Sequence, residues 1–415
     1  MQELQLYESI QVFQTADTAN RPSGGANIMS RRFEAPVRDG NRFTLLSDAH
    51  VFFARMLAAI DESKHYVLAE FYLVESGQVA DLFIAAFART AARGIRVRVL
   101  FDAFGARGLS DADGARLRAA DVDLVFFNMP RWRAFPRLFV RDHRKLLVVD
   151  GATGFTGGTG LTDMFSPDVH PDSYWWDCMV EIAGPVLDDW HALFARTWKR
   201  CAHRELDVVV KPSPALQPGE RGRLAASAGL GTKEVGRSVI KRVRKARIRV
   251  WIATAYFWPS NRLRRALRRA ARGGVDVRLL LPGALTDAPV ARSVGRLFYA
   301  RLLSSGVAIY EYQPSFSHTK LVLCDDWVSI GSSNLDRWGV LWNLDANQEI
   351  DSPAFARQVE GALVQAFGRS VVLRHASDVE HHWSVLFWRL LAQAILAWST
   401  RAVSRLRRRF TARGL

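Results

Sequence analysis

Residues 81–100, DLFIAAFARTAARGIRVRVL, and residues 261–280, NRLRRALRRAARGGVDVRLL, carry one pattern twice: an apolar helical stripe, a glycine stop and an alternating strand. In the second copy Leu263, Ala266, Leu267 and Ala270 fall at i, i+3, i+4 and i+7, one face of a helix that Gly273 and Gly274 close; Gly94 closes the first. Upstream of each lies an apolar run ending in aromatics, HYVLAEFYL at 65–73 and RVWIATAYFW at 249–258. Downstream lies a further strand, LVFFN at 124–128 and AIYEY at 308–312. This alternation predicts an α/β fold: two similar α/β/α layered domains in a pseudo-twofold arrangement. A chain of 415 residues has the length for two or three cores. The expected divisions are an N-terminal extension at 1–40, a first domain at 41–205, a Pro/Gly/Ser/Ala-rich linker at 206–235, a second domain at 236–370 and a basic amphipathic tail at 371–415.

Each copy then carries the same polar motif. HRKLLVVD places His143, Lys145 and Asp150 in an H-x-K-x-x-x-x-D spacing, and HTKLVLCD repeats it with His318, Lys320 and Asp325. On a strand, residues two apart point to the same side, so each His and Lys face one ligand together. A neutral imidazole attacks phosphorus, an imidazolium protonates a leaving oxygen, and lysines neutralise phosphoryl charge; that scheme needs no metal or other cofactor. Small residues beyond each motif, Gly157 and Gly158 in one copy and Gly331, Ser332 and Asn334 in the other, let a backbone approach phosphate closely. Asp150 and Asp325 have a second reading, as strand-end residues that cap the following turn. Glu70, Tyr72 and Tyr256 end strands aimed at the site, where core packing is the ordinary alternative.

The paired motifs resemble the phospholipase D superfamily, whose signature is a duplicated His-Lys-Asp motif with one copy in each half of a two-lobed α/β fold. The resemblance covers roughly residues 41–370. It implies that His143 and His318 meet between the lobes, His143 becoming a phosphohistidine and His318 acting as acid and then base. It also implies a carboxylate about thirty residues beyond each motif that holds the histidine of the opposite lobe. The candidates are Asp177 for His318 and Glu349 for His143. One departure stands out: the second copy reads Gly331-Ser332-Ser333-Asn334, but the first has Gly157-Gly158-Thr159-Gly160, with no side chain where the family usually has Asn.

Within the superfamily, HRKLLVVDGATGFTGG, AYFWPSNRLRRALRRAARGG, WVSIGSSNLD and LWNLDAN resemble bacterial cardiolipin synthases of the kind without N-terminal membrane spans. That implies phosphatidyl transfer to phosphatidylglycerol, with phosphatidylglycerol or phosphatidylethanolamine as donor, at the cytoplasmic face of a membrane. The rivals are a hydrolase of the same chemistry, lipase or nuclease, with water as acceptor, and a lipid-binding scaffold without turnover. Composition agrees with an anionic partner, since 57 Lys plus Arg against 41 Asp plus Glu leave a net charge of +16. WSVLFWRLLAQAILAW at 383–398 is about 24 Å long as a helix, short of the roughly 30 Å hydrocarbon core. Arginines follow it, so an interfacial helix on an anionic membrane is expected. RWRAFPRLF at 131–139 mixes Arg with aromatics as a second expected surface contact. For the arginine-coated helix at 261–274 a solvated face is the ordinary reading and nucleic acid the rival one. The first 30 residues lack the apolar run of a secretory signal, and three scattered cysteines form no disulfide framework. His381 and His382 have no ligand cluster beside them in sequence.

Overall fold

The computed structural model describes residues 33–129, 139–209, 212–228, 234–336 and 342–375. The expected tail contacts, the histidines at 381 and 382 and almost all of the 131–139 segment lie outside them. The first half runs β1 (Arg38–Leu46), α1 (Ala49–Asp61), β2 (Tyr66–Phe71), α2 (Gln78–Ala92), β3 (Arg96–Asp102), α3 (Asp111–Ala119), β4 (Asp123–Phe127), β5 (Arg141–Asp142), β6 (Lys145–Val149), β7 (Thr153–Gly157), β8 (Met179–Ala183) and α4 (Val186–Ala202). The second runs β9 (Glu220–Ala228), α5 (Glu234–Lys245), β10 (Arg249–Ala253), α6 (Asn261–Arg272), β11 (Asp276–Pro282), α7 (Pro289–Arg296), α8 (Tyr299–Leu303), β12 (Ala308–Tyr312), β13 (Leu321–Cys324), β14 (Trp327–Gly331), β15 (Asn343–Asp351), α9 (Pro353–Gly368) and β16 (Ser370–Leu373).

The strands join in one large mixed sheet ordered β16-β12-β11-β10-β13-β14-β15-β9-β1-β8-β7-β6-β2-β3-β4, with β5 beside β15. In each half three parallel strands, β2-β3-β4 or β10-β11-β12, are followed across the sheet by an antiparallel strand that opens on a His-Lys motif, β6 or β13. The apolar runs are buried on both faces, as parallel strands covered by helices must be. Tyr66 and Leu68 of β2 face a core with Trp190 and Trp198 of α4, whereas Val67, Ala69 and Phe71 face Phe83 and Phe87 of α2. In β10, Trp251 and Ala253 reach the same central core as Tyr66, and Val250 and Ile252 pack under Leu263 and Leu267 of α6. One core is therefore shared by both halves, and each half keeps an outer core of its own.

Register fixes where the motifs open. Phe71 pairs with Lys145 and Ala253 with Leu321, so each His-Lys pair lies at the carboxyl end of the parallel strands, the end at which open α/β sheets bind ligands. The stretch 206–235, expected as a linker, contains β9. Its sequence ERGRLAASA has few strand-forming residues, and it is a strand because β15 and β1 pair with it on both sides. Among the described residues no helix is long and apolar enough to cross a membrane.

Candidate active site

Each motif is stitched to the opposite half of the chain. The His143 N–H donates to Leu344 O at 3.0 Å, and the His318 N–H donates to Trp176 O at 2.8 Å. Leu344 precedes Asp345 and Trp176 precedes Asp177, so each crossing brings a carboxylate to the histidine it anchors. His318 Nδ1 lies 2.7 Å from Asp177 Oδ2, and His143 Nδ1 lies 3.0 Å from Asp345 Oδ1. The four side chains are buried, as are both lysines, whose ammonium groups fold back to the carbonyl of their own histidine: Lys145 Nζ donates to His143 O at 2.7 Å, and Lys320 Nζ to His318 O.

Burial decides the charge states. It drives the His318 imidazole down to about 3, and Lys320 pushes the same way against Asp177. It also takes His143 well below the usual histidine range, with Lys145 and then Lys320 adding to the effect, which places both lysines within electrostatic reach of that ring. Both imidazoles are neutral at pH 7. Burial lowers Lys320 to about 8 and lowers Lys145 as well, the second lysine adding to the shift. The carboxylates differ. Burial raises Asp345, whereas the Asp177 carboxyl is held low despite burial by its bond to His318 and the nearby Lys320. Around His318 the rings of Trp175, Phe165 and Phe316 form an aromatic box with centroids 5.3, 5.3 and 5.7 Å away, and Tyr72 lies edge-on to His143 at 4.9 Å.

Other expected residues fall elsewhere. Asp150 and Asp325 turn away from the motif histidines. Asp150 accepts from the N–H groups of Lys64, His65 and Tyr66, and Asp325 from those of Arg247, Ile248 and Arg249, each capping the start of the neighbouring parallel strand. Their φ of +56° and +53° makes the hairpin turns that follow β6 and β13. Glu349 is the main correction: it pairs with Arg223 at 3.0 Å, and Asp345 takes the place expected for it beside His143. The registers explain why. Gly157 pairs with Met179 and Gly331 with Asn347, so Asp177 corresponds to Asp345 and Glu349 to Glu181, which binds Arg55. Two tryptophan-rich stretches, YWWD and LWNLD, carried that signal in the sequence. Glu70 takes its ordinary reading as a core residue, accepting from the buried Arg144 at 3.1 Å behind β6. Tyr72 lies under Lys145 Nζ at 5.1 Å, and the Tyr256 hydroxyl donates to Asp287.

The small residues after each motif make room for these carboxylates. A Cβ on Gly158 would stand 2.2 Å from Asp177 Oδ2, and one on Gly157 would stand 2.4 Å from Cys178 O. In the other copy the Ser332 hydroxyl donates to Asp345 Oδ1 at 3.1 Å. Thr159 Oγ1 and Asn334 Oδ1 are buried and have no hydrogen-bond partner among the described residues. Gly160 has no space for the Asn of the second copy, since a Cβ there would meet Leu73 O at 2.4 Å and Leu73 Cβ at 2.9 Å. Gly160→Asn is therefore expected to overpack this turn, costing roughly 1–3 kcal/mol and lowering the melting temperature without raising turnover. A gain in kcat measured beside an unchanged melting curve would show the turn to be roomier than this.

Residues 239–365 match the family described as cardiolipin synthase, PLD-like domain. Cardiolipin synthase A of Pseudomonas putida (strain W619) is 34% identical over 338 residues, which cover 80% of this chain and 70% of that protein. Cardiolipin synthase B of Salmonella typhi is 32% identical over 77% of this chain and 78% of its own length. Among solved structures, the phosphatidylserine synthase of Haemophilus influenzae Rd KW20 shares the fold, with a TM-score of 0.65 at 15% identity over 86% of this chain and 94% of that one. The duplicated His-Lys motif on a shared fold and this level of identity across most of the chain have one reading: the chain belongs to the cardiolipin synthase family of phospholipase D-like proteins.

Proposed function

We propose that this protein is a cardiolipin synthase, transferring a phosphatidyl group through a phosphohistidine to the headgroup hydroxyl of phosphatidylglycerol. The observation that carries the reading is the crossed pairing of two neutral, buried imidazoles with carboxylates of the opposite half. In each ring Nδ1 is committed to a carboxylate, so Nε2 is the nitrogen left for chemistry. His143 Nε2 attacks phosphorus; the P–O bond to the donor headgroup breaks, and His318, which takes up a proton from solvent at Nε2 when the anionic phosphodiester binds beside it, gives that proton to the leaving oxygen. Asp177, held ionised, stabilises the imidazolium of His318, which suits it to the acid and base role. In the second step neutral His318 takes the proton of the acceptor hydroxyl, whose oxygen displaces His143 from phosphorus. Lys145 and Lys320 balance the phosphoryl charge, and Thr159, Ser332 and Asn334 offer further polar groups to the phosphate.

The two halves act as pseudo-twofold lobes around one phosphate. With phosphatidylglycerol as donor, the products are cardiolipin and glycerol. Phosphatidylethanolamine as donor releases ethanolamine by the same steps. The reading places the protein on the cytoplasmic membrane face, with residues 371–415 as its lipid-contacting tail. Incubation with phosphatidylglycerol vesicles is expected to give cardiolipin and glycerol in equal amounts. Phosphatidic acid alone would make water the acceptor and the protein a phospholipase.

A pH profile follows from the same site. Lys320 loses its proton as pH rises through about 8, so kcat/KM, which reports the free enzyme, is expected to fall on the alkaline side from about that pH. Burial keeps the nucleophile His143 neutral well below the usual histidine range, so no acid limb from it is expected near pH 6.5. A fall in kcat/KM centred near pH 6.5, where an unperturbed histidine titrates, would contradict the burial of the pair.

A further inference from the structure

We infer that the outer face of α5 and α6 is a docking surface for the phosphates of an anionic lipid bilayer. The helices lie side by side, burying Val235, Val239 and Val243 from one and Leu263, Ala266 and Leu267 from the other. Their outward sides form a continuous groove with two lobes of about 600 and 740 Å³ that share Arg244 and Arg262. Every charged residue lining it is Arg or Lys. At its edge Arg237 meets Glu234 at 3.0 Å. Among the described residues none of Lys241, Arg244, Arg262, Arg265, Arg269 and Arg272 has a carboxylate within salt-bridge distance.

Such a face works against the helices that carry it. Lys241 and Lys245, Arg265 and Arg269, and Arg268 and Arg272 are like charges four residues apart, a spacing that destabilises a helix, and α6 has no acidic residue to offset them. No described residue supplies the missing counter-charge, and the phosphates of a lipid surface would supply it. Arginine predominates over lysine, which suits bidentate bonding to phosphate. The face also starts beside the candidate site: Ser260 caps α6 just beyond the carboxyl end of β10, where His318 and Lys320 open. A bilayer held along α5 and α6 therefore meets the edge of the site. The choice of a bilayer over other polyanions rests on the proposed lipid substrate.

The test uses the full chain and vesicles of phosphatidylglycerol in phosphatidylcholine, with pure phosphatidylcholine as the neutral control, at physiological salt. Each basic residue near an anionic surface contributes about fivefold to partitioning. Arg262→Gln, Arg265→Gln, Arg269→Gln and Arg272→Gln together are expected to weaken binding to the anionic vesicles at least tenfold. Binding to neutral vesicles and turnover of dispersed short-chain phosphatidylglycerol should not change. If circular dichroism shows that variant to be unfolded, Lys241→Gln, Arg244→Gln and Lys245→Gln on α5 carry the same expectation. Wild-type binding by a folded variant would overturn the inference, and so would a short DNA duplex that binds the face more tightly than the vesicles do. Failure of the two readings is distinguishable. Wild-type protein that binds vesicles through this face and forms no cardiolipin overturns the proposed reaction alone, whereas cardiolipin formation with unchanged variant binding overturns the face alone.

Discussion

Single replacements of His143 and His318 by alanine should each lower cardiolipin formation by roughly 10⁴-fold or more, because one removes the attacking nitrogen and the other the proton donor for the leaving oxygen. The two losses differ in kind, and the leaving group separates them. A phosphatidyl ester of p-nitrophenol departs without protonation, so His318→Ala is expected to recover a first-turnover burst of p-nitrophenol with that donor. His143→Ala should not, since no covalent intermediate forms. The structural basis is the inequality of the two pairs. Asp177, low in pKa and 2.7 Å from His318, favours a proton on that ring, whereas burial raises Asp345 and leaves His143 the more neutral base. A burst from His143→Ala and none from His318→Ala would exchange the roles.

Much of this arrangement was legible in the sequence because it is written twice. The apolar runs at 65–73 and 249–258 had to be covered on both faces, and the helix stripe Leu263–Ala266–Leu267 had to face a sheet. Strand periodicity alone put His143 with Lys145 and His318 with Lys320. What escaped was register. Asp345, Asn347 and Glu349 alternate along one face of β15, so counting residues from the motif cannot choose among them; the pairing of Gly331 with Asn347 does. The same limit applies to Asp150 and Asp325. Their distance along the strand from the histidines places them at the far turn, where three backbone N–H groups wait for a carboxylate. β9 escaped for a different reason, since its alanines and serines form a strand only by virtue of neighbours more than a hundred residues away in sequence.

Register therefore separates two carboxylates that sequence distance confuses, and the separation has a large kinetic consequence. Asp345→Asn is expected to lower kcat roughly 10²–10⁴-fold with little change in fold. An amide at 345 offers an N–H to His143 Nδ1, which moves the ring proton to Nε2 and removes the lone pair that attacks phosphorus. The Ser332 hydroxyl, which donates to the same carboxylate at 3.1 Å, would remain to hold the side chain in place, so the defect is one of tautomer and not of position. Glu349→Gln should leave kcat within about twofold, because Glu349 faces Arg223, and Arg223 keeps Glu234 at 3.1 Å as a second partner. Its cost is one partly buried ion pair, about 1 kcal/mol or a shift of a few degrees in melting temperature. Measured side by side, a large loss from Glu349→Gln with an active Asp345→Asn would mean that the crossing carboxylate of the first motif had been misassigned. The reverse pattern would fix His143 to a carboxylate of the opposite half, as His318 is bonded to Asp177, so that neither half of the chain could catalyse the transfer alone.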